Sequence, residues 1–211
     1  MKIFSFDGPF ARWMGRVFDL VLLHVLWVVC SLPFFTIGAS TAALFAITLK
    51  MAKNEEPYIL KGYIKAFRNN FAKATKLWII AVMIIAWQLF LMRICIKGEM
   101  GILKIAGIPN AALLFIVFLA LLYLFPIQAV FENSVRNILK NSVLCSLRYL
   151  PYSFLMAAIL IIPILITGFL EPVFPIMITL WIFSGSSLIA FAESYVLNHI
   201  FTMASAAVTA E

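Results

Sequence analysis

The stretch LVLLHVLWVVCSLPFFTIGASTAALFAITL, Leu20 to Leu49, decides the fold. It holds no Asp, Glu, Lys or Arg. A helix crossing the hydrocarbon core of a bilayer needs about 20 apolar residues, each rising ~1.5 Å. The run exceeds one upright crossing, so it is either a single long tilted helix or two helices with a break. Ser31-Leu32-Pro33-Phe34-Phe35-Thr36-Ile37-Gly38-Ala39-Ser40-Thr41 favours the break. Pro33 disrupts a helix, Gly38 permits unusual dihedrals, and Thr36, Ser40 or Thr41 can cap a new one. The second helix then either spans the bilayer or re-enters the face it left.

Composition extends this reading to the whole chain. Of 211 residues, 64% are apolar and 12% charged, against about 25% charged in a soluble domain. So few polar side chains cannot cover a water-exposed surface, and the same deficit excludes a disordered chain. The expectation is a single all-α, polytopic membrane domain. Apolar stretches place six transmembrane helices at about 17–33, 36–52, 77–95, 108–131, 152–169 and 176–197. Pro126 is read as a kink and Pro163 as an interruption. Sixteen residues, Asp7 among them, precede the first apolar run, and a second span follows at once. An uncleaved first helix therefore fits better than a cleaved leader. Cys30, Cys95 and Cys145 form no pair or metal-ligand spacing and read as small packing residues.

With six spans, thirteen of the sixteen Lys and Arg fall on one side. By the positive-inside rule both termini of this multi-pass chain are cytoplasmic. The count requires Thr36–Met51 to cross, because otherwise the cluster Lys50–Lys76 lies outside. Two segments between spans, 57–76 and 133–150, carry apolar residues at three- and four-residue spacing. They predict cytoplasmic amphipathic elbows along the membrane surface. Their cations are Lys61, Lys65, Arg68, Lys73 and Lys76 in the first, and Arg136, Lys140 and Arg148 in the second. Each contributes about 1 kcal/mol against anionic headgroups. They serve as anchors or as a docking surface for a cytoplasmic partner. Topology explains the net charge of +7, so nucleic acid is not an expected partner. The two elbows also hint at a span–elbow–span unit used twice.

Polar groups at membrane depth are costly and often functional. Asp19 lies three residues from Arg16 and reads as half of an intrahelical pair. Glu132 reads as a cap or a surface pair. Thr179, Ser186 and Glu193 recur every seven residues on one face of the last span. They either allow close helix packing or line a solute path with His24, Gln88 and Gln128. No phosphate-binding loop, metalloprotease pair or nucleophile elbow occurs. Neither enzymatic activity, nor a cofactor, nor a metal site is expected.

Several of these residues resemble the YesL family, small bacterial membrane proteins classed as a domain of unknown function. They are Leu26-Trp27, Cys30-Ser31-Leu32-Pro33, Thr36–Leu44, Thr48-Leu49-Lys50, Glu55-Glu56, Ala66–Phe71 and Ala74-Thr75, then Phe125-Pro126, Lys140-Asn141, Ser146–Tyr152 and Asn198. Phe131-Glu132-Asn133 departs from the aspartate the family often shows before Asn. The resemblance implies a plasma-membrane protein often encoded beside carbohydrate uptake systems, hence an accessory partner of ABC-type sugar transporter subunits or a membrane sensor. A small-solute transporter or channel is the alternative.

Overall fold

The computed structural model describes residues 9–55, 58–97, 101–169, 172 and 174–209. Asp7, Glu56 and Pro57 of the sequence reading lie outside them. Seven α-helices follow one another: α1 (Pro9–Ser31), α2 (Ile37–Ala52), α3 (Ile59–Lys97), α4 (Gly101–Val130), α5 (Val135–Arg148), α6 (Leu150–Phe169) and α7 (Phe174–Thr209). A 3-10 turn, Phe34–Thr36, joins the first two. All but α5 contain a segment long and apolar enough to cross a membrane, and no strand occurs among the described residues. The fold is the expected all-α polytopic one. Its outer surface exposes Phe18, Trp87, Ile182 and Phe183, large apolar groups that a water-soluble monomer does not display in such number.

The centre of the bundle is α2. Of its apolar window 67% is buried, against 11–39% for the other crossing segments. It packs against α1, α3, α4 and α7. The reason is its small residues: Ala39, Ser40, Ala42, Ala43 and Thr48 are fully enclosed, and small side chains let backbones approach closely in lipid. The extreme is Gly38. A Cβ there would sit 2.6 Å from Trp78 Cβ and 2.7 Å from the Ala74 carbonyl oxygen.

The break between α1 and α2 is present and held by hydrogen bonds. Proline and the turn free several α1 carbonyls, which lipid cannot satisfy. Thr36 Oγ1 lies 2.6 Å from both the Cys30 and Pro33 carbonyls, and Ser40 Oγ donates to the Trp27 carbonyl at 3.0 Å. Trp27 Nε1 donates to Thr41 at 3.2 Å, and Trp78 Nε1 reaches the Phe34 carbonyl at 2.9 Å. Fully buried Tyr63 contacts Ser40 Oγ at 2.6 Å; since that serine proton goes to Trp27, the tyrosine donates. Thr36 occupies the N-cap of α2 without capping through its side chain. The hydroxyls expected to cap the second helix instead seal the end of the first.

Three expectations are corrected. The first elbow does not turn into the third span, because residues 59–97 form one continuous helix. No proline or glycine pair interrupts it, and nothing else there breaks a helix. The second elbow does bend: α5 ends at Arg148, Tyr149 leaves helical geometry, and α6 begins at Leu150. Pro163 does not interrupt α6, which runs through it as α4 runs through Pro109 and Pro126; membrane helices tolerate proline where neighbours satisfy the freed groups. Arg16 does not pair with Asp19. Its Nη2 donates to Asn54 Oδ1 at 2.7 Å, beyond the end of α2. Asn54 has a φ of 58° and its N–H reaches the Met51 carbonyl, a helix-ending geometry asparagine tolerates.

Candidate functional site

Tyr58, just before α3, and Lys61, Gly62, Lys65, Ala66, Asn69, Asn70 and Lys73 in its first half follow one another at three- and four-residue steps. That spacing puts them on one face of a helix. That face forms one wall of a cavity of about 1040 Å³. The end of α2 adds Lys50 and Lys53, the end of α4 adds Gln128 to Glu132, and α7 adds Asn198, Phe201 and Thr202. Of the expected interfacial cations, Lys61, Lys65 and Lys73 come together here. Arg68, Lys76, Arg136, Lys140 and Arg148 lie outside the cavity lining. Lys50 and Lys53 entered the sequence reading only as part of the basic cluster that sets the topology; their place just before and after the end of α2 was the available signal for more.

Five lysines face two carboxylates, Glu55 and Glu132. Among the described residues no ion pair joins them. Glu132 is therefore a cavity-rim charge, and the cap of α5 is Ser134, which accepts from the Asn137 N–H at 3.4 Å. The floor is amide-rich. Gln128 Nε2 donates to Asn70 Oδ1 at 3.0 Å, Asn70 Nδ2 donates to the Ala66 carbonyl, and Asn198 Nδ2 donates to the Leu49 carbonyl at 3.0 Å. Gln128 is 4% exposed, and its Oε1 has no partner. A buried acceptor left unmet costs about 1–3 kcal/mol.

Of the other polar residues of the expected path, His24 and Ser186 are brought together. His24 Nδ1 and Ser186 Oγ share a 2.8 Å hydrogen bond that ties α1 to α7. Thr179 is exposed and bonds to its own helix at the Pro175 carbonyl. Gln88 is buried, with its Oε1 unpartnered and its backbone carbonyl accepting from Asn110. Glu193 is 4% exposed and its Oε1 is unpartnered. One residue on, Ser194 donates to Thr48 Oγ1 at 2.8 Å, fastening α7 to the central helix. At the bend of the second elbow, Tyr123 and Ser153 hydroxyls lie 2.9 Å apart, and Ser153 reaches the Ser146 carbonyl. Near them, burial pushes the Cys145 thiol up, with Arg148 opposing.

The family described as a protein of unknown function, DUF624, matches residues 20–91. That range takes in the sealed break, the central helix and the lysine-bearing wall. The uncharacterised protein YteU of Bacillus subtilis is 25% identical over 167 residues, 79% of this chain and 75% of YteU. The uncharacterised protein YesL of the same organism is 26% identical over 150 residues, 71% of this chain and 70% of YesL. The chain is similar to both proteins at about a quarter identity. No solved structure matches it. The YesL-like residues most prominent in the sequence, Thr36 to Thr41, act in this structure as the seal of the α1–α2 break and the contact with α3.

Proposed function

We propose that this chain is a non-enzymatic accessory component of the bacterial plasma membrane, linked to carbohydrate uptake by an ABC-type importer or its sensor. Both termini are cytoplasmic in this reading, and the lysine-lined cavity is the working face. Its support is the convergence of Lys50, Lys53, Lys61, Lys65 and Lys73 on one cavity, where solvated anchors alone have no reason to converge. The family resemblance supplies the uptake context. The test is purification from native membranes followed by mass spectrometry. Importer or sensor subunits are expected with the wild type and fewer with Lys61→Gln/Lys65→Gln; repeated recovery of the chain alone overturns the assignment. Reporter fusions at the C-terminus and near Lys140 are expected to report the same, cytoplasmic side.

A small-solute transporter or channel is the second reading. It is favoured by the unpartnered Glu193 carboxylate oxygen, about 7.5 Å along α7 from Asn198 of the cavity floor at ~1.5 Å per residue. Flux in proteoliposomes that falls with Glu193→Gln supports it; flux indifferent to Glu193→Gln and Ser186→Ala makes this stripe a packing surface.

A further inference from the structure

We infer that the cavity binds a phosphate ester of a polyhydroxylated compound. This rests on the cavity being the working face and names the ligand chemistry it takes.

Charge selects the anion. Five lysines against two glutamates leave the lining with an excess of three positive charges. A phosphate monoester carries roughly −1.5 to −2 near neutral pH, a phosphodiester such as a lipid headgroup carries −1, and both present non-bridging oxygens that more than one ammonium group can share. Lysine ammonium groups serve phosphate as mobile point charges. A bare sugar leaves all of this charge unanswered. The volume, about 1040 Å³, lies just above the ~300–1,000 Å³ typical of small-ligand pockets.

The floor selects the rest of the ligand. Gln128 has committed one amide hydrogen to Asn70, which fixes its orientation and leaves Oε1 as a buried acceptor without a donor. Asn198 Nδ2 is committed to the Leu49 carbonyl, so its Oδ1 is the acceptor it has to offer. Asn69 is exposed on the same wall as Lys65. Asn198 Oδ1 beside a cationic wall calls for a hydroxyl donor attached to an anion, and Gln128 Oε1, enclosed beneath it, becomes a second acceptor only where the side chain shifts toward the ligand. Two sources carry that chemistry: a soluble sugar phosphate, and the headgroup of a lipid such as phosphatidylglycerol.

The test uses the full chain. In phosphatidylcholine nanodiscs, glucose 6-phosphate is titrated by calorimetry with glucose as the control. In a second arm, the chain extracted from phosphatidylglycerol-containing membranes is weighed by native mass spectrometry. Two double variants of equal net charge are compared: Lys61→Gln/Lys65→Gln on the cavity wall, and Arg68→Gln/Lys76→Gln off it. The expected result is saturable binding in one arm, weakened about tenfold or more by the first pair and less than about twofold by the second. Response to glucose 6-phosphate assigns the free ester, and retained phosphatidylglycerol lost only in the first pair assigns the headgroup; either supports the inference. Equal loss in both pairs, glucose binding as tightly as its phosphate, or binding in neither arm overturns it. Recovery of the chain without importer subunits removes the uptake assignment and leaves the titration standing, so the two ideas fail separately.

Discussion

Replacing Gly38 by alanine tests the closest helix approach in the bundle. The new Cβ would meet Trp78 Cβ at 2.6 Å, the Ala74 carbonyl oxygen at 2.7 Å and Phe125 Cε1 at 3.0 Å. Ordinary carbon contacts lie at about 3.5–4.0 Å, so α2 and α3 must separate by roughly 1 Å. The two nearest atoms belong to the α3 backbone and to a Cβ, neither of which can swing aside. Overpacking of this kind costs about 1–3 kcal/mol. The better helix propensity of alanine returns about 0.5–1 kcal/mol. The net loss is about 0–2.5 kcal/mol, or a Tm lower by up to roughly 10 °C at this chain length. The Trp78–Phe34 hydrogen bond is stretched as well. The assay is thermal unfolding in detergent, read by fluorescence-detected size exclusion, beside Gly15→Ala, whose Cβ meets nothing within 4 Å. Gly15→Ala is expected at or slightly above wild type. A Gly38→Ala chain melting with Gly15→Ala would refute the close-approach account of this glycine.

Tyr63→Phe removes the donor to Ser40 Oγ but leaves the Ser40–Trp27 bond; about 0.6–1 kcal/mol of stability is expected to go, seen as a Tm lower by a few degrees. Asn54→Ala loses the Arg16 contact and places an alanine at a φ of 58°, so it is expected to lower Tm more than Asn54→Gly, which keeps the geometry; the reverse order in a melting series would count against the helix-ending role. Ser194→Ala is expected to destabilise by about 0.6 kcal/mol, the average for hydrogen bonds between membrane helices, and Thr48→Ala combined with it to add little, measured as a double-mutant cycle.

Much of the architecture was legible because lipid enforces it. Six apolar stretches, the break at Pro33 and the amphipathic periodicity of both elbows follow from burial and backbone satisfaction, which are local in sequence. What was hidden depends on neighbours. Both elbows show the same pattern, yet only the second bends, at Tyr149. Arg16 was assigned to Asp19 three residues away, and Asn54 won from the far end of the next helix. The lysine wall was half visible. Lys61, Lys65, Asn69 and Lys73 recur every four residues, but sorting the helix into apolar and remaining faces hid a polar face of its own. That this face encloses a volume depends on the ends of α4 and α7, far along the chain. Of the expected path, the His24–Ser186 contact forms; seven-residue spacing puts groups on one helix face without saying what that face meets.

The buried position of α2 bears on how the chain is made. Its Thr48 finds Ser194, 146 residues later, and its Leu49 carbonyl finds Asn198, 149 residues later. During synthesis these groups enter the bilayer long before their companions leave the ribosome. Until α7 arrives, the innermost helix has one flank facing lipid, so a chain cut short before Ser194 presents quality-control proteases with an open seam where the finished protein has an interior.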